Sequence, residues 1–180
     1  MALTAAQVKV GVTGAVYTAA TTATAPTSAT GTLTGFTDLG YISTDGVTET
    51  RDRSTNQIRA WQNGDLVREV VTEETATFQC MLMETSAATL AAYYGVSVNT
   101  SDGSVTVNPG TTGGKKSFVV DVIDGADAIR TYIPTGEILS VGDQVFQNGE
   151  PIGFDITITA YVDTVKGYSY KKFYSSLDAA

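Results

Sequence analysis

The chain has 180 residues, enough for one domain with a real core, and combines an ordinary 42% hydrophobic content with a low charged fraction of 17%. Its net charge of −8 has the wrong sign for a protein that clamps nucleic acid by neutralising phosphates. It has no histidine and one cysteine. That excludes Ser-His and Cys-His nucleophile pairs, the commonest metal ligand, and any intrachain disulfide. Thr, Gly, Val and Ala take the place of charges, a composition that favours strands and turns. The start of the chain lacks the basic and apolar regions of a secretory signal, and no apolar run approaches the roughly 20 residues of a membrane span. The expectation is a protein made in the cytoplasm, soluble until it assembles, with no membrane partner.

Residues 1–37 are rich in Thr, Ala and Gly, with Val8, Val10 and Val12 alternating and Thr18–Thr32 close to low complexity. Such a segment buries too little to hold a packed position alone, so an extended N-terminal arm is expected, either floppy or ordered on a neighbouring subunit. A β domain is expected over residues 38–165. Strand-like sequence begins at Phe36–Ile42 and runs to about Thr50. Arg51–Asn56 is polar and reads as a loop, and Gln57–Trp61 reads as a further strand. Asn63-Gly64 is a tight-turn signal, because a type I′ turn needs positive φ at both central residues. Leu66–Met83 is a long strand-like stretch whose phase blurs near Thr72–Glu74, as a bulge would make it do. Cys80 falls on the apolar face of that stretch with Ala76, Phe78 and Leu82 and reads as a small buried hydrophobe.

One helix is expected at about residues 85–94. Thr85 or Ser86 can cap it, Gly95 can stop it, and Ala87, Leu90, Ala91 and Tyr94 form an apolar stripe. It is too short to stand alone and must lie on a sheet. Residues 108–114 are a connector. Phe118, Val120 and Val122 alternate, Asp124-Gly125 turns, and Ile129, Thr131 and Ile133 return. Asn148-Gly149 is another turn. Beyond it, apolar residues from Ile152 to Val162 alternate with Asp155, Thr157, Thr159, Tyr161 and Asp163, the pattern of a half-buried antiparallel strand. Residues 166–180 form a C-terminal extension carrying Tyr168, Tyr170, Phe173 and Tyr174 among Lys171 and Lys172. The fold class expected is mainly β: an antiparallel sandwich or barrel with one packed helix and extended arms at both ends.

Catalytic constellations do not emerge. Glu73 and Glu74 are strand neighbours and point to opposite faces. Asp124-Gly125-Ala126-Asp127 lacks the regular oxygen ligands of a calcium loop and reads as a turn. No phosphate-binding glycine pattern is present. Lys115-Lys116 and Lys171-Lys172 are short basic pairs rather than a nucleic-acid stripe. Trp61 beside Asn63-Gly64 reads equally as a hairpin anchor and as an interface hot spot. No enzyme, cofactor or metal is expected.

An ordered series of pieces carries a resemblance. It runs through Asp38-Leu39-Gly40-Tyr41-Ile42-Ser43, Asp45-Gly46-Val47-Thr48-Glu49, Ile58-Arg59-Ala60-Trp61-Gln62-Asn63-Gly64-Asp65 and Val70-Val71-Thr72-Glu73. It continues through Ala76-Thr77-Phe78, Glu84-Thr85, Tyr93-Tyr94-Gly95, Val122-Ile123-Asp124-Gly125, Ile133-Pro134 and Ile156-Thr157-Ile158-Thr159-Ala160-Tyr161. Together these resemble the major tail protein, or tail tube subunit, of siphophages infecting actinobacteria, over about residues 36–165. The resemblance implies a structural virion protein. Its subunits would form hexameric rings stacked into a hollow tube around a tape-measure protein, meeting tail terminator and distal tail proteins at the ends. DNA would later pass through without being specifically bound. An acidic lumen would repel the DNA backbone. Under this reading Glu49, Asp52, Glu69 and Glu73 are candidate lumen acids, and Arg51, Arg53, Arg59 and Trp61 are candidate contacts between rings or subunits. The alternative is a ligand-binding β-sandwich such as a virion decoration or adhesin module.

Overall fold

A computed structural model of the chain describes residues 3–178. Among these residues eight strands form one antiparallel sheet: β1 (Thr13–Ala19), β2 (Thr37–Asp38), β3 (Ile42–Arg59), β4 (Leu66–Leu82), β5 (Lys116–Asp124), β6 (Asp127–Val141), β7 (Phe154–Ala160) and β8 (Lys171–Tyr174). The order across the sheet is β2-β1-β5-β6-β7-β4-β3, and β8 pairs with β6 off that path. β6 is long enough to serve two neighbours on one side, β8 along Ile129–Tyr132 and β7 along Gly136–Val141. The sheet curves around a core of Val16, Leu39, Phe78, Cys80, Leu82, Phe118, Val120, Ile133, Phe154, Ile156 and Ile158. The fold is mainly β with one helix, as expected.

The helix α1 (Ala87–Tyr94) begins where Ser86 accepts a hydrogen bond from the Thr89 amide and ends at Gly95 in the left-handed region (φ 69°). It closes one end of the core through Ala92 and through the Tyr93 ring, which meets Phe154 edge-on at 5.4 Å. A Cβ at Gly95 would stand 2.6 Å from the Gly113 nitrogen, so both conformation and space require glycine there. Cys80 is buried, and burial pushes its thiol up to about 12.

Three segments differ from the sequence expectation. Arg51–Asn56 is not a loop but the middle of β3, which runs unbroken from Ile42 to Arg59. Its polarity reflects exposure on both faces rather than irregular backbone. Residues 13–19, inside the stretch expected to be an arm, are a strand of the sheet paired along its whole length with β5. Residues 171–174, inside the C-terminal extension, are also a strand.

The Thr- and Ala-rich segment after β1 lies against its own sheet. The reason is Arg130. Its guanidinium makes a two-pronged pair with Asp121 on the neighbouring strand at 2.7 Å for both bonds, and its remaining nitrogen donates to the Ser28 and Gly31 carbonyls. Arg130 and Asp121 are both buried, Ala29 is buried beneath them, and Phe36 meets the buried Tyr132 ring edge-on at 6.5 Å. A buried charge pair is tolerable when its spare donors are satisfied, and here backbone carbonyls satisfy them.

Candidate assembly and channel surfaces

Two features stand out on the surface: a free-standing ribbon and a polar sheet face. β4 pairs with β7 only from Leu82 back to Ala76, yet β3 and β4 stay paired to Arg59 and Leu66. Beyond Ala76 the hairpin therefore projects as a two-stranded ribbon about 30 Å long, at roughly 3.3 Å per residue. Every residue of 51–59 is exposed, and so is every residue of 66–75 except the half-buried Val70. The tip is the turn expected at Asn63-Gly64, with φ of 58° and 70°. Register shifts fall opposite Ser54–Thr55, where β4 runs from Glu73 to Val71, and near the tip. Trp61 at the tip is 99% exposed, and Ile58, Leu66, Val67 and Val71 are exposed as well. An isolated two-stranded hairpin is marginal in water, and this one carries apolar side chains that it cannot bury itself.

The polar face is the side of β3, β4, β7 and β6 turned away from the core. Cross-strand register places Thr50, Thr77, Thr159 and Glu137 in one row and Thr48, Gln79, Thr157 and Ser140 in the next. Asp52 lies opposite Thr75, Glu73 opposite Ser54, and Met81 opposite Asp155. On β3, β4 and β7 the rows from Met81–Asp155 to Ser54–Glu73 hold no Lys or Arg, and Arg68, opposite Ile58, brings a cation to this side only nearer the ribbon tip. Asp155 accepts both bonds of the Gln79 amide at 2.9 and 3.2 Å, and Glu137 accepts from the Thr112 hydroxyl at 2.6 Å. The face is thus a field of hydroxyls with fixed negative charges.

The four candidate acids divide between the two sides of the hairpin. Asp52 and Glu73 lie on the polar face. Glu49 lies opposite the buried Phe78 on the core side, ion-paired with Lys172. Glu69 faces Gln57 and accepts from the Thr55 hydroxyl at 2.6 Å, on that same side of the ribbon. One surface cannot hold all four. Glu137 and Asp155 join Asp52 and Glu73 on the polar face. Asp155 already stood on the polar side of its strand in the sequence, but its union with Asp52 depends on long-range pairing.

The candidate basic residues cluster on the other side of the ribbon. Arg51 and Arg53 both reach Glu74, at 2.8 and 3.1 Å, and these bonds, Arg51 first, hold the Glu74 carboxyl below its usual range. Arg59 donates to the Gly64 carbonyl and to Gln57, bracing the turn. Trp61 makes no such bond and stands clear.

An open groove of about 730 Å³ separates Gly11–Ala15 from Tyr41–Val47 and is rimmed by Asp38, Asp45 and Glu84. Asp38 and Glu84 are occupied with the Gly40 and Tyr41 amides. Among the described residues no group of His, Cys, Asp and Glu is placed to hold a metal ion, and no helix is long and apolar enough to cross a membrane.

A mainly β subunit whose distinctive parts are a projecting ribbon and a broad acidic face has the form of an assembling structural protein. A family model described as phage tail tube protein matches residues 1–173, so the chain belongs to the phage tail tube protein family. It is accordingly a tail tube subunit and a virion component. Among solved structures it is similar to a chain from the tail of an empty GTA particle, obtained by helical refinement with C6 symmetry. That likeness has 11% identity and a TM-score of 0.41 over 81% of this chain and 88% of the other. No curated protein matches the sequence.

Proposed function

We propose that copies of this subunit form hexameric rings that stack into a hollow tube, with the ribbon bridging copies and the polar face lining the channel. The observation that carries this reading is the ribbon. It exposes Trp61 together with Ile58, Leu66, Val67 and Val71 on a hairpin with no neighbour of its own. A second copy supplies what the ribbon lacks. Charge supports the same contact. Four of the five arginines, Arg51, Arg53, Arg59 and Arg68, lie on the ribbon, while the groove on the body is rimmed by Asp38, Asp45 and Glu84.

The polar face suits a channel wall. From the Met81–Asp155 row to the Ser54–Glu73 row, hydroxyls and carboxylates with no strand Lys or Arg among them give a phosphate backbone little to pair with, so DNA passes without sticking; Arg68 lies further out toward the tip. Asp52, Glu73, Glu137 and Asp155 are the wall acids in this reading; Glu49 and Glu69 are not. Packing around a tape-measure protein, contact with terminator and distal tail proteins, and origin in a siphophage of actinobacteria rest on the ordered motif series from about residue 36 to 165.

Electron microscopy of the purified protein at high concentration tests the reading. Hollow tubes or six-fold rings are expected, and Trp61→Ser is expected to abolish or shorten the tubes while leaving thermal stability unchanged. A strictly monomeric wild-type protein that binds a ligand at its loop tips would overturn it in favour of a decoration or adhesin module.

A further inference from the structure

The ribbon's attachment to the body is thin. β3 is the edge strand, and β4's ladder with β7 stops at Ala76. The row just inside that point is Glu49 opposite Phe78. Residues 163–174 reach both members of this row. The Tyr170 ring meets Phe78 edge-on at 5.5 Å, and Lys172 forms an ion pair with Glu49. Burial pushes the Tyr170 phenol up, and the neighbouring Glu49 carboxylate adds to it. One short segment thus grips both strands of the hairpin at a single level.

That segment is itself fixed to β6, two strands from β4 in the sheet. Its first turn is built on Asp163, whose carboxylate accepts from the Val165 and Lys166 amides and from the Thr135 hydroxyl. Lys166 donates to the hydroxyl of the buried Tyr132 at 2.5 Å. Its end, β8, pairs with β6 from Tyr132–Lys171 to Ile129–Tyr174. Tyr170, just before β8, and Lys172, within it, are the two side chains that reach the hairpin row.

We propose that residues 163–174 are a strap that fixes the direction in which the β3–β4 ribbon leaves the body. The geometry gives the strap leverage. An angular slack of about 10° at the root displaces a tip about 30 Å away by about 5 Å, more than an interface of close-packed side chains tolerates. Deciding whether the tip meets its receptor on another copy rests on the assembly reading given above; holding the ribbon's direction in the single subunit does not.

The test swaps the ion pair. Spin labels go on Gln62→Cys at the tip and Ala87→Cys at the start of α1; Cys80 is buried and its thiol pushed up, so it stays unlabelled. Double electron–electron resonance on the unassembled protein reads the tip-to-body distance. Glu49→Lys and Lys172→Glu, each alone, are expected to broaden that distribution by about 5 Å and to cut tube yield in electron micrographs. The double swap is expected to restore both. A distribution of wild-type width in both single variants overturns the strap, as does a double swap that recovers nothing. A broadened distribution with undiminished tubes keeps the strap and overturns the role of the ribbon in stacking.

Discussion

Residues 20–36 hold only Leu33 and Phe36 as large apolar side chains, yet they lie pinned against the sheet. Residues 51–75 form the outer halves of the two longest strands, yet past Ala76 they pair only with each other. The first segment is ordered through its backbone carbonyls by one buried arginine. The second is regular in its hydrogen bonding and lies outside the fold's core. Regular secondary structure and attachment to the body are therefore separate properties in this chain. The molecule spends its buried charge on the irregular segment and leaves its best-formed hairpin for other copies.

The contrast breaks most sharply at Arg130. Arg130→Met leaves Asp121 buried without its partner and frees two carbonyls, a loss of about 3–5 kcal/mol. Chemical denaturation measures it, and hydrogen exchange over residues 20–36 is expected to rise to that of an unpinned loop. Adding Asp121→Leu removes the stranded charge and is expected to recover most of the stability. Exchange in residues 20–36 stays high in the double variant, because the carbonyls of Ser28 and Gly31 have lost their donor in both. Recovery of protection there would mean that apolar packing at Ala29 and Phe36, rather than Arg130, holds the segment.

A smaller effect is expected at the other pole. Replacing Asn63-Gly64 by Ala-Ala adds a β-carbon at the positive φ of position 64 and removes at position 63 the Asn side chain that tolerates it, a cost of about 1–2 kcal/mol confined to the tip. Because the ribbon is not part of the core, the melting transition of the body should not move. Tube formation should suffer, because Trp61 loses its fixed position. A lowered melting temperature for the body would show that the ribbon contributes to the fold after all, and the contrast would fail.

What the sequence made legible follows the same division. Helix α1 was readable because cap, stripe and stop agree within ten residues, and the hairpin tip because Asn-Gly admits few other backbones. β7 was readable from strict alternation between Phe154 and Ala160. Arg51–Asn56 was misread because a strand exposed on both faces has no apolar phase to show. The Arg130 anchor was missed, although a signal existed. Counting outward from the turn that joins Asp124 to Asp127 pairs residue 121 with residue 130, two opposite charges in otherwise apolar strands. The polar face had no such signal. Thr77 and Thr159 stand side by side, but eighty-odd residues of chain separate them, and nothing local encodes that pairing.

The smallest expected effect concerns acid. Glu74 is the one carboxylate on the ribbon shared by two guanidiniums, and their hydrogen bonds lower its folded pKa. A carboxyl with a depressed folded pKa stabilises the folded form above its ordinary value, and the contribution is lost as pH falls through the lowered value. Full strength is therefore expected at neutral pH, and loss as the solution is acidified below the ordinary carboxylate range. Because the pair is solvent-exposed, screening keeps the contribution slight. Glu74→Gln should leave the melting temperature of the body unchanged at every pH. Hydrogen exchange at Arg51–Arg53 should become faster at neutral pH and match wild type once the solution is acid enough to protonate Glu74. If exchange at those amides were the same in variant and wild type at neutral pH, the two arginines would be free to leave Glu74. They would then be available to an acidic surface on another copy without first giving up a partner, and the ribbon would be a cationic arm rather than a self-paired one.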